Sequence, residues 1–359
     1  MKILLLGGTG AMGTHLKEIL VDSGNDVYVT SRKRHEGGEH LKYLQGNAHD
    51  IDFLRLVLQE DWDAIVDFMV YSTQEFMQRV DMLLDSAKQY IFISSSRVYA
   101  NSDIPITENS SRLLDCAIDK TFLATDEYSL KKAREEDILT NHIKNNYTII
   151  RPYITYSEQR LQLEDLEIQQ WLPRAIDGRS IVLSEDIADR YTTLTYGRDV
   201  AKGIATLIGN NHAFGEFFHI TCGESIRWRD VLSIYLDTIE ESTGVRPKVR
   251  WIKESFKVKR DESKYQVLYD RLYDRIFDNT KILSIAPDLS FVSPKEGLKK
   301  CLVSSLKSGK AKCFSVGTEA VLDRIAGERM SFSSFNTHSQ LIKYLMYRYL
   351  CVDKLKSKI

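Results

Sequence analysis

The chain predicts a doubly wound α/β fold, a parallel sheet with helices on both faces and a smaller C-terminal region. Three observations carry this. Apolar runs of strand length alternate with helix-length segments through the first half. The first run, Lys2–Leu6, passes at once into Gly7, Gly10 and Gly13, spaced G-x-x-G-x-x-G. The length, 359 residues, suits a large α/β unit with an appendage.

In order, the runs 2–6, 26–31, 64–68, 90–94 and 147–151 predict strands. Segments 14–22, 51–59, 73–88 and 126–145 predict helices between them. In such sheets ligands bind outside the carboxyl ends of the strands. Further on, 199–209 predicts a helix, 217–221 a strand, 227–242 a helix and 248–251 a short strand. Residues 256–275, rich in Lys, Arg, Asp and Tyr, predict a polar loop or solvated helix. The segment 304–359 carries helical patterns, as at 341–350.

Composition excludes several classes. Net charge is −1, so the chain has no basic footprint for nucleic acid or for an anionic membrane surface. The five cysteines are scattered and form no metal-binding spacing, which suggests a reducing compartment. No apolar stretch approaches a membrane span, and Ile3–Leu6 is too short for a signal-peptide core. A cytoplasmic protein is expected.

The glycine loop sits in the strand-turn-helix context that a dinucleotide requires. Glycine lets the main chain bend and lets a pyrophosphate approach it. The N-terminus of the following helix then holds the anion. Tyr128 and Lys132 stand four apart on a predicted helix and share a face. An ammonium beside a phenol favours the phenolate, which suits Tyr128 to proton transfer. Ser94, Ser95 and Ser96 follow the strand at 90–94, where a hydroxyl can meet the same substrate oxygen.

These residues resemble the extended short-chain dehydrogenases/reductases, the group of sugar-nucleotide epimerases, dehydratases and reductases. The likeness includes Gly7-x-x-Gly10-x-x-Gly13, Ser94-Ser95-x-x-Val98-Tyr99 and Tyr128-x-x-x-Lys132. It continues through Trp62–Asp67, Arg151-Pro152 with Tyr156, Asp189-Arg190, Asp199–Ala201, Asp278–Lys281 and Pro294–Gly297, about residues 1–300. The resemblance implies a Rossmann-like domain at 1–160 plus about 189–223. It implies a nucleotide-sugar domain at about 161–188 plus 224–300, and leaves 301–359 as a helical extension.

The same resemblance implies roles. Tyr128 is the general acid/base, Lys132 its partner and ribose ligand, and Ser95, three before Val98, the catalytic hydroxyl. Gly7, Thr9, Gly10, Ala11, Met12, Gly13, Ser31, Arg32, Arg34, Asn47, Phe68, Met69 and Tyr153 would line the cofactor with Tyr128 and Lys132. Ser95, Ser96, Arg97, Arg190 and an arginine within 271–275, taken as Arg275, would meet the substrate. The partners implied are a nucleotide-diphosphate sugar and a second copy of the chain in a homodimer.

A free ribose 2′-hydroxyl calls for an acid at the end of the second strand. Here that strand ends Val29-Thr-Ser-Arg-Lys-Arg34, with no acid before Glu36. A basic end suits a 2′-phosphate, which favours NADP(H), with NAD(H) the alternative. Asn47 stands where the family places Asp.

Among the family's reactions, 4,6-dehydration needs carboxylates after the catalytic hydroxyl, where this chain has Ser96 and Arg97. A 3,5-epimerase/reductase often uses a Cys and a His near the hexose, and no Cys follows Ser95. A 4-ketoreductase and a 4-epimerase remain, and the basic strand end favours an NADPH-dependent 4-ketoreductase acting in deoxysugar or O-antigen synthesis. Ile154 and Ser157-Glu158 depart from the family's Asn and Gly-Pro, where the nucleotide sugar would be gripped. Non-catalytic, RNA-binding or regulatory relatives form a third reading. It predicts a broken Tyr/Lys pair or a basic surface, and neither is present.

Overall fold

In the computed structural model, residues 1–255, 263–309 and 315–350 are described. Part of the polar 256–275 stretch, and 310–314 and 351–359 of the C-terminal extension, lie outside the described residues. The chain divides into two units. Met1–Thr155, Thr193–Glu224 and Ile276–Val292 form the first; Tyr156–Thr192, Ser225–Arg275 and 293–359 form the second.

The first unit is built on β1 (Lys2–Leu6), β2 (Asp26–Ser31), β3 (Leu41–Gln45), β4 (Trp62–Asp67), β5 (Ala87–Ile93) and β6 (Tyr147–Pro152). With the strand Glu216–Ile220 they form one seven-stranded sheet in the order Glu216–Ile220, β6, β5, β4, β1, β2, β3. Every neighbouring pair is parallel. The order reverses between β1 and β4, so a crevice opens there at the strands' carboxyl ends.

Alternation along the strands makes the two cores. Ile3, Leu5, Val27, Val29, Ala64, Val66, Ile91 and Ile93 face one side, with α1 (Gly13–Asp22) and the helix Gly197–Leu207. Leu4, Leu6, Ile65, Tyr90, Phe92 and Ile149 face the other. There they pack on α2 (Ile51–Val57), α3 (Thr73–Met77), α4 (Val80–Asp85) and Leu139 of a later helix. Both faces are covered, which is why the inner strands carry apolar residues on both sides, as Ile3–Leu6 and Tyr90–Ile93 do. Leu16 and Leu20 of α1 are buried in the first core, each contributing about 1.5–3 kcal/mol.

Three expectations change. The single helix expected over 73–88 is two helices, because Arg79 is buried and turns back to donate to the Glu75 carbonyl, and to the His49 carbonyl at 3.1 Å. The edge strand β3, which the sequence reading left out, pairs with β2 from Val27–Leu41 to Ser31–Gln45. Beyond β5 lie α5 (Leu113–Cys116), α6 (Lys120–Leu123) and α7 (Tyr128–Thr140). The last is shorter than the helix expected over 126–145. Its N-cap Glu127 accepts from the Ser129 amide at 2.7 Å, which fixes the start at Tyr128.

In the second unit Ile181–Ser184 pairs in parallel with Val249–Ile252, and Tyr191–Thr192 pairs antiparallel with Ile226–Arg227. Trp171 stacks on Tyr235 at 4.6 Å. The helix Val316–Ala326 is tied in by Glu319 and Asp323, which meet the buried Arg174 at 2.9 and 2.8 Å. Among the described residues no helix is long and apolar enough to cross a membrane.

Gly13 tests the loop. An added Cβ there would lie 2.6 Å from the Gly8 main chain, where no flexible side chain can yield. Gly13→Ala is expected to cost about 1–3 kcal/mol in denaturant unfolding, as overpacking does.

Candidate active site

The glycine loop joins β1 to α1. Gly7 has φ +70°, a left-handed conformation that calls for glycine, and the Met69 sulfur lies close beside it, 2.7 Å from where a Cβ would stand. The Gly7 amide donates to Thr30 Oγ1 at 2.9 Å, which ties the loop to β2. At Gly10 a Cβ would meet nothing within 4 Å, so this part of the loop faces open space. Met12, the N-cap of α1, gives no side-chain cap, which leaves first-turn amides for an anion. Thr9 and Gly10 are exposed, with Ala11 and Met12 half-buried. Loop and helix end therefore fit a dinucleotide pyrophosphate.

At the end of β2, Ser31 is half-buried and Arg32, Lys33 and Arg34 are exposed. Ser31 Oγ accepts from the Lys33 amide at 3.2 Å and lies 3.0 Å from His35 Nε2. None of the three cations forms an ion pair among the described residues. Asn47 is exposed and accepts from the His49 amide at 3.2 Å. Phe68 and Met69 follow β4, half-buried, while Tyr153 follows β6, buried 5.2 Å from the Phe277 ring.

The three serines separate by function. Ser94 donates to Glu136 at 2.6 Å, and Ser96 donates to the Arg151 carbonyl at 2.7 Å. Ser95 Oγ instead accepts, from the Arg97 amide at 3.2 Å, and donates to nothing among the described residues. The turn then reaches α7: Arg97 pairs with Glu127 at 2.5 Å and its guanidinium lies 5.2 Å from the Tyr128 ring centre. Lys131 stands 5.7 Å from the same ring. Lys132 is buried, 3.5 Å from the Met69 carbonyl and 4.3 Å from the Phe92 ring centre. Serine turn, phenol and ammonium thus gather at the carboxyl ends of β4 and β5.

Arg190 and Arg275 belong to the second unit. Arg190 is exposed, with Asp274 4.0 Å away. Arg275 is fully buried, on Asp270 at 3.0 Å and the Tyr269 carbonyl at 2.9 Å.

The sequence reading missed the acids. Glu136 forms a two-pronged pair with Arg151, at 2.8 and 2.7 Å, and is wholly buried. Glu135 lies 3.0 Å from Lys132. Asp67, at the end of β4, accepts from Tyr90 at 2.8 Å and from the Met69 amide at 2.9 Å. Burial pushes the Asp67 carboxyl up, and it pushes Glu135 to about 7 although Lys132 opposes it. The i,i+3 spacing of Lys132 and Glu135 was visible, but spacing does not reveal burial.

Glu135 sets a pH dependence. Its folded-state pKa, about 7, lies above the ordinary 4.5, so its contribution to stability is complete below 4.5 and lost as pH rises through 7. Glu135→Gln is therefore expected to raise the melting temperature at pH 8 more than at pH 5; equal shifts at both would refute this. Glu136→Ala, which strands Arg151, is expected to cost about 3–5 kcal/mol in denaturant unfolding.

Residues 3–223 match the NAD dependent epimerase/dehydratase family. Chloroplast stem-loop binding protein of 41 kDa b of Arabidopsis thaliana is 26% identical over 237 residues, 61% of this chain and 58% of that protein. A UDP-glucose 4-epimerase of Streptococcus mutans is 28% identical over 135 residues, 31% of this chain and 40% of that protein. The chain thus spans about two fifths to three fifths of these relatives' length. Among solved structures, UDP-glucuronic acid 4-epimerase from Bacillus cereus, in complex with NAD, has a TM-score of 0.65 at 17% identity, covering 86% of this chain and 100% of that one. The epimerase Mth375 of Methanothermobacter thermautotrophicus has a TM-score of 0.68 at 17% identity, covering 86% and 93%. By the match over 3–223 and the parallel sheet beneath it, this chain belongs to the NAD-dependent epimerase/dehydratase family.

Proposed function

We propose that the protein reduces the C4 ketone of a nucleotide-linked 4-keto-6-deoxyhexose, using NADPH, with Ser95, Tyr128 and Lys132 as its catalytic residues. The observation that carries the reading is the gathering of an undonated Ser95 hydroxyl, the Tyr128 phenol and a buried Lys132 ammonium beside a loop that fits a pyrophosphate. The nucleotide-sugar class is supported by relatives named for UDP-glucose and UDP-glucuronic acid.

Bound NADPH supplies a hydride to C4. Tyr128 gives its phenolic proton to the C4 oxygen as negative charge develops there. Ser95 donates its hydroxyl to the same oxygen and holds it in place. The Lys132 ammonium opposes the charge left on the Tyr128 oxygen, and solvent returns the proton. Gly7, Thr9, Gly10, Ala11, Met12 and Gly13 would hold the pyrophosphate, and Phe68, Met69 and Tyr153 the nicotinamide end. Ser31, Arg32 and Arg34 would hold the adenosine ribose and its 2′-phosphate, with Asn47 beside the adenine. Ser96 and Arg97 would border the hexose. Arg190, exposed and weakly paired, suits a diphosphate, whereas Arg275 is engaged by Asp270.

A second reading, an NAD-dependent 4-epimerase, is favoured by the names of the relatives and by the NAD in the Bacillus cereus structure. It predicts tightly held NAD and no net consumption of cofactor. Binding of a nucleic-acid stem-loop, suggested by the name of the Arabidopsis relative, fits less well with net charge −1 and intact Ser95, Tyr128 and Lys132.

The test is loss of NADPH absorbance with a thymidine-diphospho 4-keto-6-deoxyglucose. Stoichiometric loss supports the reductase; no loss, with NAD carried through purification, supports the epimerase. Tyr128→Phe is expected to lower kcat by about 10²–10⁴-fold while NADPH affinity is kept. Arg32→Ala is expected to weaken NADPH by about tenfold or more and to leave NADH unchanged, as a lost charged hydrogen bond would. Equal effects on the two cofactors would remove the 2′-phosphate from the reading.

A further inference from the structure

Around Lys132 lie buried acids that the reaction above does not use. Lys132 and Glu135 are separated by 3.0 Å, with 1% and 0% of their side chains exposed. Among the described residues, neither carboxylate oxygen of Glu135 receives a well-aligned hydrogen bond. What compensates its charge is chiefly the Lys132 ammonium, with Lys131 adding to it. This is an unusual arrangement, because a buried carboxylate normally needs both a partner charge and hydrogen bonds.

Charges face the pair from every element packed around it. From α7 itself come Lys131 and Lys132. From the end of β4 comes Asp67, held by Tyr90 of β5 and by the Met69 amide. Beyond β4 stand Tyr71 and Arg79, whose guanidinium lies 4.7 Å from the Tyr71 ring centre. Burial raises both Tyr71 and Tyr90 well above ordinary phenols, so neither supplies a charge near neutral pH. Two buried carboxylates, Asp67 and Glu135, thus face the buried Lys132 ammonium, with the buried Arg79 guanidinium farther off beyond Tyr71.

That balance bears on the phenol. The use of Lys132 rests on its unopposed positive charge near Tyr128, one turn away on the same helix. A carboxylate 3.0 Å from the ammonium cancels much of that charge at any distance long compared with 3 Å. We propose that Glu135 is a positioning residue of this site, holding the Lys132 ammonium in a fixed place and offsetting the charge that Lys132 presents to Tyr128. The proposal rests on the reading of Tyr128 and Lys132 given above. It adds a control on that pair: a proton on Glu135 uncovers the charge of Lys132, and its loss covers that charge again. Burial places this exchange near neutrality, at about 7.

The test reads Tyr128 directly and needs neither substrate nor cofactor. In protein labelled with 3-fluorotyrosine, the ¹⁹F resonance of Tyr128 is identified by its absence in Tyr128→Phe. Its change with pH gives the pH at which this phenol ionises. Glu135→Gln keeps the shape and removes the charge, and is expected to bring ionisation about one pH unit lower, the effect of one charge at a turn's distance in a partly screened site. Glu135→Asp keeps the charge and is expected to stay close to wild type. Lys132→Met is expected to move ionisation higher. Should Glu135→Gln fail to fold, Glu135→Met removes the same charge at similar length and carries the same expectation.

The outcomes separate. A Lys132→Met effect with no Glu135→Gln effect overturns the role of Glu135 and leaves the reading of Lys132 standing. No effect from Lys132→Met overturns that reading and the proposal with it. Equal shifts from Glu135→Asp and Glu135→Gln overturn the electrostatic role, since they would report packing and not charge.

Discussion

The site depends on the buried pair of Glu136 and Arg151. Helix α7 carries Tyr128 and Lys132, yet its buried face is mostly polar: Ser129, Lys132, Glu135 and Glu136 lie inside beside Leu130, Ala133 and Leu139. A helix of that kind cannot be held by apolar burial alone. The two-pronged contact from Arg151 on β6 supplies the missing anchor, and the Ser94 hydroxyl at the end of β5 completes it. Arg151 is held in turn by the Tyr99 hydroxyl and the Glu108 carbonyl, each at 3.0 Å. The position of the phenol over the strand ends therefore rests on ionic geometry, which is directional, more than on hydrophobic contact, which is not.

Cations fall into two groups. Beside the phenol two are spoken for, Arg97 by Glu127 and Lys132 by Glu135, while Lys131 stands over the ring without an acidic partner among the described residues. At the end of β2 they are open, with Arg32, Lys33 and Arg34 exposed and without acidic partners among the described residues. Paired cations hold a shape, and open ones attract an anion. On the function proposed above, the contrast gives the two ends of the crevice different tasks, one keeping reacting groups in register and the other collecting phosphate.

Much of this was legible in the sequence because it rests on local rules. Strands 2–6 and 26–31 have the expected limits, since Ile3–Leu6 is an apolar run and Val27–Thr30 a β-branched and aromatic one. The glycine loop was legible because backbone bending and close approach each demand glycine. The edge strand β3 was not, because Leu41, Tyr43 and Leu44 are only half-buried and give a weak period. The break between α3 and α4 depends on a long-range bond from Arg79 to His49, which no local pattern encodes. Glu127, Glu135 and Glu136 read as ordinary charges on a solvated helix. Their importance comes from what β4, β5 and β6 place beneath them, and that is a tertiary fact.

The strand Glu216–Ile220 has a further consequence. It returns from late in the chain to lie along β6, from Thr148 opposite Glu216 to Pro152 opposite Ile220. During synthesis β6 is therefore complete more than sixty residues before its outer neighbour is made. Until then it is a sheet margin with free main-chain groups and the apolar pair Ile149-Ile150, the kind of margin that recruits other chains. A nascent or shortened chain ending near residue 155 carries the glycine loop, the phenol and the ammonium, and is still open along this side. Its hazard is self-association, and the late strand is the molecule's own remedy.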